Sequence, residues 1–421
     1  MLEDKPGLID EIRDRFAHVE SCPFTGPRIF FENAGGALTL KSVVERSAHY
    51  AAIPDNQGRD NPAAKALMAT IAEARMLTKR FFNVEAGQIF VGESGTELLF
   101  RLISTACMGV GPGRPGGRVL SSTLEHPASR SAAHRWSEAA GMAHVLAAHD
   151  DATGTVTAEH YRPHLGPDLR VATIIHTSPV TGMGVDIAAI AREIRAAAPD
   201  CLIIVDGIQH AAHGGIDLAA ADIDGYAISP YKVFSRHGYG IAWASDRLTA
   251  LPRNALDGGP AENWELGTRD TGAYATFAEV IRYLDWLGGA VSDETEPRAR
   301  LEAAAAAIHA HEHRLTEAML HGTGNHGGLA GIEGVRILGG VENPAREGLV
   351  SFWIEGRPSP EIVAALNARG IRTHTRKDDH YSGNVLVPLG QPDCVRVSLC
   401  HYNTTAEVAR FLEAMREIAG G

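Results

Sequence analysis

Leu202-Ile-Ile-Val-Asp-Gly-Ile-Gln-His210, followed by Tyr226-Ala-Ile-Ser-Pro-Tyr-Lys-Val-Phe234, decides the fold. Each stretch opens on an apolar run too short for a helix and rich in β-branched or aromatic side chains, then passes directly into polar residues. That is the pattern of a buried strand whose carboxyl end carries chemistry. Working outward, similar runs stand at Gln88-Ile-Phe-Val, Arg118-Val-Leu-Ser, Val171-Ala-Thr-Ile-Ile-His and Gly240-Ile-Ala-Trp-Ala, with helical stretches between them. One of these helices is well marked: Asp186 caps it, Ile187, Ile190 and Ile194 recur at spacings of three and four, and Pro199 ends it. Strand and helix in alternation predict an α/β fold around a mostly parallel sheet covered on both faces. From residue 293 a smaller α/β region is expected. It has one long helix through 293–320, strands at Val335-Arg-Ile-Leu, Leu349-Val-Ser-Phe-Trp-Ile and Val395-Arg-Val-Ser-Leu, a helix from Ser359 to Arg369 and a final helix from Thr405. The expected partition is 1–25, an N-terminal segment packing with the small domain; 26–292, the large domain; and 293–421, the small C-terminal domain.

Composition narrows the partners. At 44% hydrophobic and 21% charged over 421 residues, the chain belongs to the soluble globular class. Its apolar runs fall far short of the roughly 20 residues a bilayer crossing needs, so no membrane partner is expected. A net charge of −12 argues against a nucleic-acid surface. The opening residues lack a signal-like apolar segment, and five cysteines without a CxxC pair suit a reducing compartment, so a cytoplasmic protein with buried thiols is expected. The glycines of 109–117 lack the ending of a nucleotide-binding loop and read as a plain loop. His210 and His213, and the group His309, His311 and His313, show no acid or cysteine at metal-site spacing. No metal is expected, and the latter group is placed on a water-exposed helix face.

Several residues carry chemistry. Asp206 ends a buried strand, where an unpaired charge is costly; it either faces a cation such as a protonated heterocyclic nitrogen or caps the turn at Gly207. Lys232 has Tyr231, Val233 and Phe234 as neighbours, which lower an amine's pKa and make it a nucleophile; a surface lysine is the competing reading. Ser94-Gly-Thr-Glu97 ahead of Leu98-Leu-Phe-Arg101 is a phosphate seat at a helix N-terminus or an ordinary cap.

From Phe31-Glu-Asn-Ala-Gly-Gly36 to Val395-Arg-Val-Ser-Leu-Cys-His-Tyr-Asn-Thr404 the chain resembles the class V aminotransferases, within them the cysteine desulfurase-like branch of fold type I pyridoxal-phosphate-dependent enzymes. The resemblance implies a large domain with a seven-stranded-type sheet, a smaller C-terminal domain, an amino-acid substrate and pyridoxal 5'-phosphate held covalently by Lys232. Gly95 and Thr96 would hold the phosphate with Ser229 and Tyr231. His126 would stack on the ring, Asp206 would bind its nitrogen and Gln209 its hydroxyl. Lys232, Asp206 and His126 would be the catalytic set. Thr268, in Trp264-Glu-Leu-Gly-Thr, matches a residue that reaches the neighbouring subunit's phosphate, which implies a homodimer with shared sites. Arg396 matches the arginine that grips the substrate carboxylate. Asn33 and Ser178 are expected beside the substrate, Ser178 standing where desulfurases usually carry Asn.

One departure bears on the reaction. Where desulfurases of this branch carry a persulfide-forming loop cysteine, this chain has Arg372-Thr-His-Thr-Arg-Lys-Asp-Asp-His-Tyr-Ser-Gly383, without a cysteine. Cys400 falls by strand alternation on the Arg396 face and is read as a packing thiol. The loop is either a solvated charge run or brings His374, Arg376 or Tyr381 into the site to bind a second anion or move a proton. Three reactions are open: C–S cleavage or β-elimination without a persulfide, transamination, and epimerisation with Tyr381 or His374 as the opposing proton donor. A non-catalytic binding module is the remaining class, and Lys232, Asp206 and Arg396 argue against it.

Overall fold

The computed structural model describes residues 2–110, 116–260 and 262–420; the centre of the glycine-rich loop, 111–115, lies outside the described residues. Seven strands form the main sheet: β1 (Gln88–Gly92), β2 (Arg118–Ser122), β3 (Ala143–Ala147), β4 (Leu169–Ile175), β5 (Leu202–Asp206), β6 (Gly225–Ile228) and β7 (Gly240–Ala244). They lie in the order β1-β7-β6-β5-β4-β2-β3. Only β7 runs against its neighbours; β2 to β6 are parallel. All five residues of β5 are buried, as a strand covered on both faces requires. The covering helices include Gly95–Val110, Pro127–Ala139 and Ile187–Ala197. In the last of these, Asp186 accepts from the amide of Ala189 at 2.9 Å, the expected cap.

A second sheet, β8 (Val335–Ile337), β9 (Leu349–Ile354), β10 (His374–Lys377) and β11 (Asp393–Ser398), has the order β8-β9-β11-β10 and is antiparallel throughout. The long helix starts at Pro297, four residues into the predicted stretch, because Glu296 caps it and Pro297 takes the first turn. Ile29 and Phe31 join the core cluster of the second sheet rather than that of the main sheet. A short parallel pair, Ile29–Phe30 with Ile371–Arg372, ties that early stretch to the loop before β10. Residues 1–25 touch both bodies. Leu8, Ile12 and Phe16 pack into the large core, whereas Arg13 donates to the carbonyl of Tyr402 at 2.7 Å and Glu3 accepts from Thr405 at 2.6 Å. Among the described residues no helix is long and apolar enough to cross a membrane.

Candidate active site

β4, β5 and β6 end side by side, and the residues just beyond them converge with the start of helix Gly95–Val110. Asp206, 3% exposed, closes β5. Its Oδ1 accepts from the amide of Ile208 at 3.0 Å. Gly207 between them has to be glycine, since a Cβ there would lie 2.0 Å from the Tyr226 ring. Burial pushes the Asp206 carboxyl up to about 6, against the pull of the Ile208 amide, Lys232 and Ser129.

Lys232 occupies a 3-10 turn, Pro230–Lys232, after β6. Two residues later Phe234 takes φ 63°, rare for a bulky side chain. It is held there by edge-on packing against Phe16 and His401. The Lys232 amine donates to Gln209 Oε1 at 3.1 Å. Burial brings its pKa down to about 7, Arg396 and Arg376 push the same way, and Asp206 opposes them.

The cleft so formed is lined by Thr96, His126, Asp206, Gln209, Ser229, Tyr231 and Lys232, all singled out in the sequence, and by Thr177 and Pro179, which were not. His126 caps helix Pro127–Ala139 through Nδ1, which accepts from Ala128 at 3.2 Å, leaving the proton on Nε2. Burial, reinforced by Lys232 and Arg376, drives its pKa down to about 3, so the ring is neutral. At Gly95 a Cβ would meet Ser229 Oγ at 2.4 Å; the bare backbone lets the helix N-terminus close against Ser229. Ser94 Oγ accepts from Glu97 at 3.1 Å, so the stretch is a cap as well as a potential phosphate seat. Tyr231 stacks on His237 with ring centroids 4.3 Å apart. A buried carboxylate, a neutral imidazole, a half-buried amine, and hydroxyls around a side-chain-free helix start are the donor set that a flat pyridinium bearing a phosphate requires. The residues fit pyridoxal phosphate.

Residues of the second sheet come up beside the cleft. His374 lies opposite Arg396, and Arg376 opposite Cys394, so all four point to one face of the sheet. Arg396 is buried, donates to the carbonyl of Pro179 at 3.0 Å, and keeps Nε without a partner among the described residues. Burial and Arg376 lower its pKa to about 9, against Glu32. Glu32 itself lies 3.7 Å from Arg372 and 3.4 Å from His374. Burial, with Arg396 and Arg376, takes His374 down to about 4, so the contact with Glu32 is made by a neutral imidazole. Tyr381 is 45% exposed, its ring 6.0 Å from that of His126.

Four expectations are corrected. Asn33 does not face the cleft: its amide nitrogen donates to Ser398 O (2.7 Å) and Asn403 Oδ1 (3.2 Å), and its oxygen accepts from Tyr402. Ser178 is turned into its own loop, its Oγ accepting from Val180 and Thr181. Cys400 is the buried thiol expected, packed against His401 and Glu312, but it lies beyond the end of β11 at Ser398, so the strand alternation that put it on the Arg396 face does not reach it. His311 is not exposed but fully buried, its Nε2 donating to the carbonyl of Asn403 (3.0 Å). Beside it Glu312, with Cys400 and His401, places three ligand-type atoms within 4.8 Å, the convergence of acid and thiol that spacing alone did not reveal. Thr268 is exposed, away from its own chain's cleft.

Behind the cleft runs a chain the sequence did not show. Gln209 Nε2 donates to His213 Nε2 at 3.1 Å, and His213 Nδ1 lies 2.7 Å from Glu312 Oε2. Because the amide nitrogen can only donate, His213 Nε2 accepts and its proton sits on Nδ1, facing Glu312.

Glu125, next to His126, was also missed. It is fully buried, accepting from the amide of Ile175 (2.9 Å) and from Ser122 Oγ (3.1 Å), with Oε2 unpartnered. Burial, then Asp206, raises it to about 8. A carboxyl raised from 4.5 in the unfolded chain favours the native state fully below 4.5, and that contribution is lost as pH climbs through 8. Glu125→Gln should therefore hold its melting temperature between pH 6 and 9 while wild type falls; parallel losses by calorimetry would refute a protonated Glu125.

With the geometry in place, the resemblances are informative. The class-V aminotransferase profile matches residues 29–411. A probable cysteine desulfurase of Mycolicibacterium paratuberculosis is 28% identical, covering 97% of this chain and 58% of that protein, so the chain spans about three fifths of that relative's length. A probable cysteine desulfurase of Xylella fastidiosa is 26% identical over 93% of this chain and 91% of its own. The fold is shared with the apo cysteine desulfurase of Thermococcus onnurineus (TM-score 0.80, 20% identity, 98% of both chains). It is shared also with the cysteine desulfurase CsdA of Escherichia coli (TM-score 0.76, 21% identity, 97% of this chain and 98% of that one). A lysine beside a buried aspartate at the ends of parallel strands, inside a profile that spans nearly the whole chain, leaves one conclusion: the chain belongs to the class V aminotransferase family of pyridoxal-phosphate-dependent enzymes.

Proposed function

We propose that the protein is a lyase that breaks a bond from Cβ of an amino acid, in the first place a C–S bond, without a persulfide intermediate. The observation that carries this reading is the lack of an activated thiol in the cleft. The loop 372–383 has no cysteine. Cys394 shares the Arg396 face, but burial pushes its thiol up to about 12. Cys22, the one lowered thiol among those of the described residues, at about 7 through hydrogen bonds at Thr25 and Phe24, lies in the Ser21–Cys22/Gly26–Pro27 hairpin. Double replacement Cys22→Ser with Cys394→Ala should leave turnover within about threefold of wild type; loss of all turnover by both would point back to a persulfide.

When bound, pyridoxal phosphate supplies an aldehyde for the substrate amine and a ring that withdraws electrons from Cα. Lys232 would hold that aldehyde, and its amine, with a pKa near 7, is a base able to take the α-proton at neutral pH. Asp206 would keep a proton on the ring nitrogen, Gln209 would meet the ring hydroxyl, and neutral His126 would lie over the ring. The N-terminus at Gly95, with Thr96, Ser229 and Tyr231, would seat the phosphate. Exposed Thr268 would complete that seat in a second copy, making a homodimer with shared sites. Arg396 would fork onto the α-carboxylate. Removing a buried charged partner of this kind costs about 2–5 kcal/mol, so Arg396→Gln should lower kcat/KM by roughly 10²-fold or more.

The products test the reaction. Loss of the α-proton and departure of the Cβ substituent with its electron pair give, after hydrolysis, pyruvate, ammonia and a thiol. Their release in equal amounts from cysteine S-conjugates is expected. A cofactor band that shifts on adding amino donor and returns on adding an oxo-acid, without pyruvate, would instead support transamination. Loss of optical rotation with solvent deuterium at Cα would support epimerisation.

A further inference from the structure

Two guanidiniums, Arg396 buried and Arg376 half-buried, stand near the cleft where one would suffice for an α-carboxylate. Arg396 on β11 and Arg376 on β10 are diagonal neighbours on one face, a relation that puts side chains roughly 7–8 Å apart. Nε of each is buried and has no hydrogen-bond partner among the described residues. Arg376 has one weak bond, to the carbonyl of Tyr381 at 3.4 Å. Asp379 opposes its charge from an exposed position, and no ion pair to Arg376 is present among the described residues. Glu32 is engaged by Arg372 and His374, Asp379 turns Oδ1 to the amide of Tyr381 at 2.9 Å, and Asp206 lies at the floor of the cleft with the amide of Ile208. A half-buried guanidinium offset only by an exposed carboxylate is costly, and a bound anion would meet that cost. Its charge acts on Lys232, His126, His374 and Arg396 as well as on Cys394, so it lies within electrostatic reach of the amine end of the cleft.

We infer that the cleft selects amino acids bearing a second anionic group on the side chain, with Arg396 on the α-carboxylate and Arg376 on the side-chain anion. The inference rests on the reading of the cleft as an amino-acid site. Of the three residues on the replaced segment, Arg376 alone fits: His374 is neutral and tied to Glu32, and Tyr381 is largely in solvent. The planar fork of an arginine suits a carboxylate, sulfinate or phosphate oxygen pair and gains little from a neutral amide. Specificity then comes from both sides, because a neutral side chain leaves Arg376 half-buried and offset only by an exposed carboxylate.

The test compares L-aspartate with its neutral isostere L-asparagine, titrated into the cofactor-loaded enzyme and read from the change in cofactor absorption, with no turnover required. Wild type should half-saturate at roughly 10- to 100-fold lower aspartate than asparagine, the worth of a hydrogen bond to a charged group. Arg376→Gln should remove that ratio by weakening aspartate without weakening asparagine. Arg376→Lys, which keeps the charge, should restore part of it and guards against a Gln variant that fails to fold. Equal affinity for the two ligands in wild type, or equal weakening of both in the variants, would overturn the inference. An intact aspartate preference in an enzyme that releases no pyruvate from any cysteine conjugate would refute the C–S reading and leave this one standing.

Discussion

Lys232→Ala is expected to yield a protein that no longer holds pyridoxal phosphate covalently and turns over at least about 10³-fold more slowly, since both the covalent tether and the general base are lost together. The geometry makes the residue hard to replace from nearby. Gln209, its hydrogen-bond partner at 3.1 Å, cannot accept a proton, and His126 is held neutral with its Nδ1 tied to the backbone. Dialysis should strip the cofactor from the variant and not from wild type, and the long-wavelength band should be lost. Retention of the band through dialysis would remove Lys232 from the role. Because the amine that substrate would free is lowered to about 7, kcat should rise with pH through that region.

Asp206→Asn should act in opposite directions on the empty and the loaded protein. The isosteric amide preserves packing and can still accept from Ile208, so the change is one of charge alone. In the loaded enzyme, breaking a buried ion pair costs about 3–5 kcal/mol, and cofactor affinity together with turnover should fall by roughly 10²- to 10³-fold. In the empty protein the carboxyl is raised from 3.8 to about 6 by burial. Its favourable contribution is complete below 3.8 and lost as pH rises through 6, so at pH 8 it burdens the native state. The empty variant should then melt at a higher temperature than empty wild type, and the loaded variant at a lower one. A function kept at the expense of stability is a familiar trade, and two melting curves with and without cofactor reveal it. A variant less stable in both states would mean that Asp206 serves packing.

The strands that carry Asp206 and Lys232 could be read from the chain because a strand buried on both faces announces itself as an unbroken apolar run, and the polar residues after that run must stand at the sheet's carboxyl edge. Gly95 and Thr96 were visible for the same reason, at the next helix start. Asn33, Ser178 and Cys400 misled because their surroundings are set by contacts remote in sequence or by where a strand stops: Asn33 meets Ser398 and Tyr402 hundreds of residues away, and β11 ends two residues short of Cys400. His311 and Glu312 were hidden by the alanine-rich helix around them. Alanine fills buried and exposed positions alike there, so no apolar stripe marks which face is inside. Arg376 illustrates the reverse case. Its charge was plain in the sequence, but only the register of β10 against β11 separates it from the solvated Lys377 next to it.

The amide of Gln209 lies between two bases and offers oxygen to Lys232 and nitrogen to His213. One planar amide cannot present oxygen to both. While Lys232 is a donor, His213 must be an acceptor; if His213 takes a second proton, the amide has to turn over, and Lys232 must then accept. The two ends therefore cannot both carry their extra proton while the amide bridges them, although both can lack it. With Glu312 fixing the far side of His213, an ammonium on the lysine in the cleft holds off a second proton from a histidine one amide behind it.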